Sequence, residues 1–327
     1  MNSEGFMRRC LQLAALGAGH VAPNPMVGAV LVREGAIVGE GYHQIYGQSH
    51  AEVNAIRDAE ERFGPEILRE STLYVSLEPC AHHGKTPPCA DLIVSKGIPR
   101  VAVGIRDPFP QVNGKGIDRL RAAGVAVTVP LLENECREVN RRFFTVHTLE
   151  RPYIILKWAR SADGFMGREG ERVRLSGDLA DVLVHRWRSE EAAILVGART
   201  ALVDDPALTT RHWPGPHPLR VVLNPGVALP EGLKVLDGQA PTMVHSGRDL
   251  GKLMQDLHGG SIQSVLVEGG ARVLGSFLTA ALWDEIRVIT ARTTYLGNGI
   301  PAPTLPPAQL HEELVLGEDV VATYFPG

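Results

Sequence analysis

Four side chains in the first third of the chain have the types and spacing to handle a metal and a proton: His50, Glu52, Cys80 and Cys89. One imidazole and two thiolates supply three ligands of a tetrahedral zinc site. The fourth position is left for water, which is the catalytic rather than the structural arrangement. Zinc lowers the pKa of its water toward ~7, so hydroxide is available at neutral pH. Glu52 reaches that water without ligating and carries its proton. Taken singly, His50 is more often a core or surface histidine, and two cysteines with eight residues between them can be inert thiols. The proline before each cysteine, and a loop holding His82, His83, Gly84 and Lys85, make the joint pattern that of a catalytic metal.

These residues need a sheet and helices to bring them together. The apolar, β-branched run 27–32 ends in a Gly35 turn and reads as a strand, with 36–40 as its hairpin partner. Residues 51–63 have helical spacing, with Val53, Ile56 and Ala59 on one face. That puts His50-Ala51-Glu52 at the head of a helix. Strands are predicted at 71–77, 100–105 and 125–130, and helices at 90–96, 117–123 and 132–147. Both cysteines are expected at or near helix N-termini, whose positive potential favours thiolate. The βαβ rhythm predicts a mixed or mostly parallel sheet covered by helices. It restarts at Pro152, which divides the chain into domains 1–148 and 149–327. Strands are expected at 153–159, 192–196, 219–223, 242–245, 264–267 and 285–289, with helices at 179–189, 250–257 and 272–280.

Composition agrees with two α/β domains. The chain has 327 residues, 44% of them apolar and 21% charged, enough to bury sizeable cores. No apolar run reaches the roughly 18 residues of a membrane span. A net charge of −4 exerts no global pull toward nucleic acid. Arg8-Arg9 before an apolar stretch faintly resembles a signal peptide, but Glu4 and Gln12 break that pattern. Leu11, Ala14, Ala15 and Ala18 suit an amphipathic helix instead. Four cysteines do not make a disulfide framework. Cys10 and Cys136 stand alone and read as small apolar residues. The other pair points to a reducing compartment, the cytoplasm.

The second domain lacks the Gly-x-Gly-x-x-Gly dinucleotide fingerprint. Instead, Val265-Leu266-Val267-Glu268-Gly269-Gly270 is a buried strand running into a glycine pair and a helix. Glycines let backbone approach a phosphate, and a helix N-terminus supplies amide donors. Such pairs are also often plain tight turns.

The stretch Asn24-Pro25-Met26-Val27-Gly28-Ala29-Val30, the His50-Ala51-Glu52 triplet, and Glu78-Pro79-Cys80-Ala81-His82-His83-Gly84-Lys85-Thr86-Pro87-Pro88-Cys89 carry a resemblance. They extend the His-x-Glu and Pro-Cys-x-x-Cys signature of zinc deaminases, with a longer loop between the cysteines. In this they resemble the bifunctional riboflavin-biosynthesis deaminase/reductase family, over nearly the whole chain and in the same domain order. The resemblance implies a cytidine-deaminase-like N-terminal domain and a dihydrofolate-reductase-like C-terminal domain, with Zn2+ and NADPH as cofactors. It implies a small-molecule substrate, 2,5-diamino-6-ribosylamino-4-pyrimidinone 5′-phosphate. Zinc hydroxide would attack the carbon bearing the 2-amino group, and NADPH would then reduce the ribosyl chain to ribityl.

By the same resemblance His50, Cys80 and Cys89 are metal ligands and Glu52 is catalytic. Asn24 reads the pyrimidine edge, His43 lines the pocket mouth, His82 and Lys85 meet ribose and phosphate, and Asp107 touches substrate. In the second domain Ala159, Thr200, Asp204, Gly270, Ala271, Arg272, Val273, Leu274, Gly275 and Ser276 contact the cofactor. Arg188, Leu208, Arg211 and Glu268 contact the substrate, the two arginines suiting its phosphate. Lys157 and Asp204 place or protonate the ring-opened sugar. The plainer alternatives are surface ion pairs for Arg188 and Arg211, and a turn or cap for Asp204. One departure stands out: the family usually has Ser, then Trp before Ile, where this chain has Arg172, Arg174 and Leu175. Arg174 could stack through its guanidinium plane. Alternatively, the chain is a deaminase with a weakened or vestigial reductase domain. Enzymes of this kind commonly assemble as homodimers or tetramers.

Overall fold

The computed structural model describes residues 2–81 and 87–327. The chain divides into two compact units, Met1–Leu149 and Glu150–Gly327.

The first unit opens with helix α1 (Ser3–Ala15), started by the Asn2 side chain, which accepts the Gly5 N–H at 2.9 Å. Strands β1 (Gly28–Arg33), β2 (Ala36–Tyr42), β3 (Thr72–Leu77), β4 (Arg100–Ile105) and β5 (Ala126–Thr128) form one sheet in the order β2-β1-β3-β4-β5. β1 is antiparallel to β2 and β3, whereas β3, β4 and β5 are parallel, so the sheet is mixed. One face packs Leu31, Val75 and Val103 against α2 (Ala51–Phe63), α3 (Cys89–Ser95) and α4 (Lys115–Ala122) through Ile56, Ile93 and Leu120. The other face packs Val30, Tyr74 and Ala102 against Met7 and Cys10 of α1 and a pair of phenylalanines, Phe143 and Phe144. Alternation along β1 therefore feeds two cores, because both faces of the sheet are covered.

The seat of α2 matters most for chemistry. A Cβ at Gly41 would lie 2.4 Å from the Ala55 nitrogen and 2.6 Å from the Ala51 carbonyl oxygen. Only glycine permits this approach, and it locks the first turn of α2 onto β2. The helix expected over 132–147 is in fact two, α5 (Glu133–Val139) and α6 (Arg141–Leu149). Asn140 stands between them. Its side chain accepts the Met26 N–H and donates to the Met26 carbonyl, both at 2.8 Å. An asparagine side chain engaged with backbone in this way favours a helix boundary over a helix interior.

The second unit is built on β6 (Tyr153–Ser161), β7 (Phe165–Gly167), α7 (Asp178–Glu190), β8 (Ala193–Gly197), α8 (Ala198–Asp204), β9 (Leu219–Leu223), β10 (Thr242–His245), α9 (Leu250–Gly259), β11 (Ser264–Val267), α10 (Ala271–Thr279), β12 (Glu285–Ala291), β13 (Ile300–Pro301), β14 (Ala308–Leu316) and β15 (Asp319–Pro326). Eight of the strands form a sheet in the order β10-β9-β8-β11-β6-β12-β15-β14. The first six are parallel, and the β14–β15 hairpin closes the edge antiparallel. Leu253 and Met254 of α9 and Phe277 of α10 pack on one face, and Val184 and Trp187 of α7 on the other. The β14–β15 hairpin and the short α8 were not foreseen. β14 is exposed along most of its length, so it lacks the buried alternation that marks a strand. Among the described residues no helix is long and apolar enough to cross a membrane.

Candidate active sites

His50 is the N-cap residue of α2, and Cys89 is the first residue of α3. Cys80 lies in the loop beyond β3 rather than at a helix N-terminus, which corrects the expectation for that residue. The α3 terminus reaches it all the same: the Cys89 N–H donates to Cys80 Sγ at 3.3 Å. His50 Nδ1 lies 3.7 Å from Cys80 Sγ and 3.3 Å from Cys89 Sγ. The three donor atoms fall within 4.8 Å of one another. Donors about 2.0–2.3 Å from a tetrahedral zinc lie about 3.5–3.8 Å apart, so the trio fits that ion.

Glu52, in the first turn of α2, is 3% exposed, and its Oε2 has no hydrogen-bond partner among the described residues. Burial pushes its carboxyl up to about 6, against the opposing pull of His50. An orphaned buried carboxylate oxygen beside an incomplete ligand set is what a metal-bound water would satisfy. The Cys80 thiol is shifted down by hydrogen bonding from the Cys89 side chain, while Cys89 is shifted up by the same contact and by burial.

A second layer stands behind the ligands. The His43 ring meets the His50 ring edge-on at 5.4 Å. Its Nδ1 faces the Ser49 carbonyl oxygen at 3.1 Å, and its Nε2 faces Asn24 Nδ2 at 3.1 Å. With Nδ1–H donated to a carbonyl, Nε2 is the acceptor and takes an Asn24 N–H. His43 is only 2% exposed, so it sits behind Asn24 rather than at a pocket mouth. Asp107 is also buried; burial, reinforced by Glu78 and Cys80, pushes it up to about 7, although its Oδ1 accepts the Phe109 N–H at 2.7 Å. His82 and Lys85 lie outside the described residues.

In the second unit a largely buried triad lies at the end of β11. Glu268, just past β11, accepts from Arg188 Nε at 2.9 Å and Nη2 at 3.0 Å, and from Lys157 Nζ at 3.3 Å. Burial alone raises a carboxyl, but Arg188 and then Lys157 outweigh it and hold Glu268 at about 2. Arg188 therefore spends its paired donors on Glu268 instead of offering them to a phosphate. Arg211 is the more open cation. Its N–H donates to His185 Nδ1 at 2.9 Å and its Nη1 to Thr209 Oγ1 at 3.0 Å. Burial, Arg188 and Arg172 all lower its pKa, the signature of gathered positive charge. His185 and Thr209 were not singled out from the sequence, because no spacing rule links a histidine to an amide 26 residues on.

Beside this cluster two helix starts lie together. Gly197 precedes α8 and Gly270 precedes α10, and neither helix carries a side-chain cap. A Cβ on Gly270 would lie 3.3 Å from Thr200 Oγ1, and one on Gly197 would lie 2.8 Å from a Val273 methyl. Thr200 is thus a neighbour of the 270–273 turn, at the carboxyl ends of adjacent parallel strands, where amide-rich helix starts suit anions. These residues fit a phosphate-bearing dinucleotide. Asp204 at the end of α8 is raised by burial, which nearby Arg172 counters. Ala159 lies on β6. Leu208 is 2% exposed and packs in the core with Ile194 and Val222, so its side chain is not open to a substrate. Arg174 bonds Asp178 and Asp181 of α7 instead of presenting a free guanidinium plane.

Comparison with known proteins places both units. Residues 1–105 match the cytidine and deoxycytidylate deaminase zinc-binding region, and residues 152–315 match the RibD C-terminal domain. The riboflavin biosynthesis protein RibD of Aquifex aeolicus is 39% identical, with 97% of each chain covered. That of Escherichia coli K12 is 37% identical over 89% of this chain and 88% of its own. The crystal structure of a diaminohydroxyphosphoribosylaminopyrimidine deaminase/5-amino-6-(5-phosphoribosylamino)uracil reductase from Thermotoga maritima superposes with a TM-score of 0.91 at 34% identity, covering 99% of this chain and 98% of the other. Full-length similarity with the reductase half included does not favour a vestigial second domain. The chain belongs to the RibD family of riboflavin-biosynthesis enzymes, a zinc-dependent deaminase joined to an NADPH-dependent reductase.

Proposed function

We propose that the first unit deaminates 2,5-diamino-6-ribosylamino-4-pyrimidinone 5′-phosphate and that the second reduces the product's ribosyl chain. The observation that carries the first half is the trio His50, Cys80 and Cys89 with the unpartnered Glu52 oxygen beside it. Zinc, when held there, supplies a water acidic enough to be a nucleophile at neutral pH. Glu52 would move the protons: its carboxyl, lifted by burial, would take one from the water and pass it to the ring nitrogen, then carry a second from the hydroxyl added to the ring carbon to the amino group that leaves as ammonia. Asn24 has one N–H fixed on His43, which leaves its amide oxygen and second N–H for the pyrimidine edge. Asp107 adds a further contact on the substrate side.

In the second unit NADPH supplies the hydride. Thr200, Ala159, Asp204 and the start of α10, from Gly270 to Ser276, orient it. Arg211 holds the substrate phosphate, with Arg172 nearby, and Glu268 keeps Lys157 aimed so that its Nζ can protonate the opened sugar. Arg188 serves this site by neutralising Glu268. The partner is thus a small phosphorylated pyrimidine rather than a nucleic acid. The protein works in the cytoplasm as a homo-oligomer, which sedimentation of the purified chain tests directly.

The deciding assay supplies the pyrimidine phosphate with and without NADPH and follows ammonia and ribityl product separately. Ammonia in both arms, and ribityl product only with NADPH, is the expected result. Equal ammonia release from cytidine would overturn the substrate assignment.

A further inference from the structure

Glu78 is named by none of the roles above, yet its carboxylate accepts from four backbone N–H groups. It is 4% exposed. Its Oε2 accepts from the Asp107 N–H at 3.2 Å and the Gly114 N–H at 2.9 Å. Its Oε1 accepts from the Gly116 N–H at 2.9 Å and the Ile117 N–H at 3.2 Å. Three of those donors are the opening amides of α4, whose N-cap residue, Gly114, has no side chain to cap them. Glu78 is the missing cap, delivered from another element, and its charge suits the positive end of the helix.

The capped helix in turn braces the segment that carries Cys80. A Cβ on Gly116 would stand 1.9 Å from the Pro79 carbonyl oxygen, so α4 rests directly on the peptide leading into Cys80. On the far side, Arg119 of α4 donates to the Ala81 carbonyl oxygen at 3.0 Å. Both flanks of Cys80 are therefore held by one helix. The same carboxylate also ties down the backbone of Asp107.

We infer that Glu78 is a positioning residue of the deaminase site, acting through α4 to fix the Cys80 ligand and the Asp107 loop together. This rests on the ligand assignment proposed above. Glutamine in its place keeps one acceptor end, but its NH2 end faces two N–H groups that then lack an acceptor. Groups that orient metal ligands from outside the coordination shell typically cost 10–100-fold in metal affinity when changed.

The test uses the full chain loaded with Co2+ and challenged with a chelator. Glu78→Gln is compared with Leu120→Ala, which weakens α4 through its buried face and leaves the Glu78 bonds in place. Glu78→Gln is expected to release metal about 10-fold faster or more. It should also shift the visible cobalt bands and raise KM for deamination as the Asp107 loop loosens. At matched loss of unfolding midpoint, Leu120→Ala should leave the cobalt bands in place and release metal near the parent rate. Equal release and unchanged bands in the two variants would reduce Glu78 to a stability residue and overturn the inference. If Glu78→Gln yields no soluble protein, Glu78→Asp, which keeps the charge on a shorter stem, is read against Leu120→Ala by the same criteria. Cys80→Ser separates the two claims: cobalt bands unchanged by that substitution would sink the ligand assignment itself, whatever Glu78 does.

Discussion

Two buried glutamates divide the molecule's chemistry between them. Glu52 and Glu268 are both withdrawn from water, yet burial lifts the first to about 6 while the second, also pushed up by burial, is held at about 2 by Arg188 and Lys157. The difference is in the partners. Glu52 has an oxygen with no hydrogen bond among the described residues, and Glu268 has two cations in direct contact. A carboxyl near neutrality can take and give a proton at little cost, which is what a general base and acid must do. A carboxylate locked in its charged form serves to hold other groups. Burial alone does not decide which role a glutamate plays; the charge beside it does.

The sharpest way to break this comparison is to remove what Glu52 is proposed to work on. Cys80→Ser should abolish zinc binding, by elemental analysis, and ammonia release with it, while reduction of pre-deaminated substrate changes little. Reduction that failed equally would mean the two halves are not independent. Glu52→Gln should keep its zinc but lose about 10²–10⁴-fold in ammonia release; unchanged turnover would show that Glu52 carries no proton.

Glu268→Gln addresses the other side. It leaves Lys157 and Arg188 buried beside a neutral amide, for which about 3–5 kcal/mol of lost stability is expected in urea unfolding. A loss under about 1 kcal/mol would mean that the triad is more hydrated than its burial implies. Acid tests the same carboxylate without mutation. Its folded pKa lies below the ordinary 4.5, so its contribution is present above about 4.5 and drains away as pH falls toward about 2. The size is on the order of 3 kcal/mol. The acid limb of the stability profile should therefore flatten in Glu268→Gln. The smallest effect is expected at Arg174, which is exposed and pairs with the exposed Asp178 and the half-buried Asp181. Arg174→Ala should leave the unfolding midpoint nearly unchanged and KM for NADPH within a factor of about two.

The metal trio was legible in the sequence because few residue types bind zinc, and their order along strands and helices was clear. Helix 51–63 was readable from its apolar spacing, and the structure starts and ends it at Ala51 and Phe63. Other features left no local trace. Arg188 and Glu268 are 80 residues apart, and nothing in either neighbourhood says that they meet. Leu208 was expected to contact the substrate, but it occupies a left-handed turn, with φ of 55°, and its side chain packs in the core. β14 was hidden because an exposed edge strand has no reason to alternate. The break at Asn140 was hidden because its cause, the Met26 peptide, is 114 residues away.

That last pairing limits how the catalytic half can be moved to another protein. The asparagine proposed to read the base stands two residues before Met26, whose amide and carbonyl are both clasped by Asn140. The proposed metal ligands are complete by residue 89, but a transplant ending soon after them would leave the recognition segment without its clamp. Such a graft is expected to bind zinc and discriminate poorly among pyrimidines, and extending it through Leu149 is expected to restore selectivity.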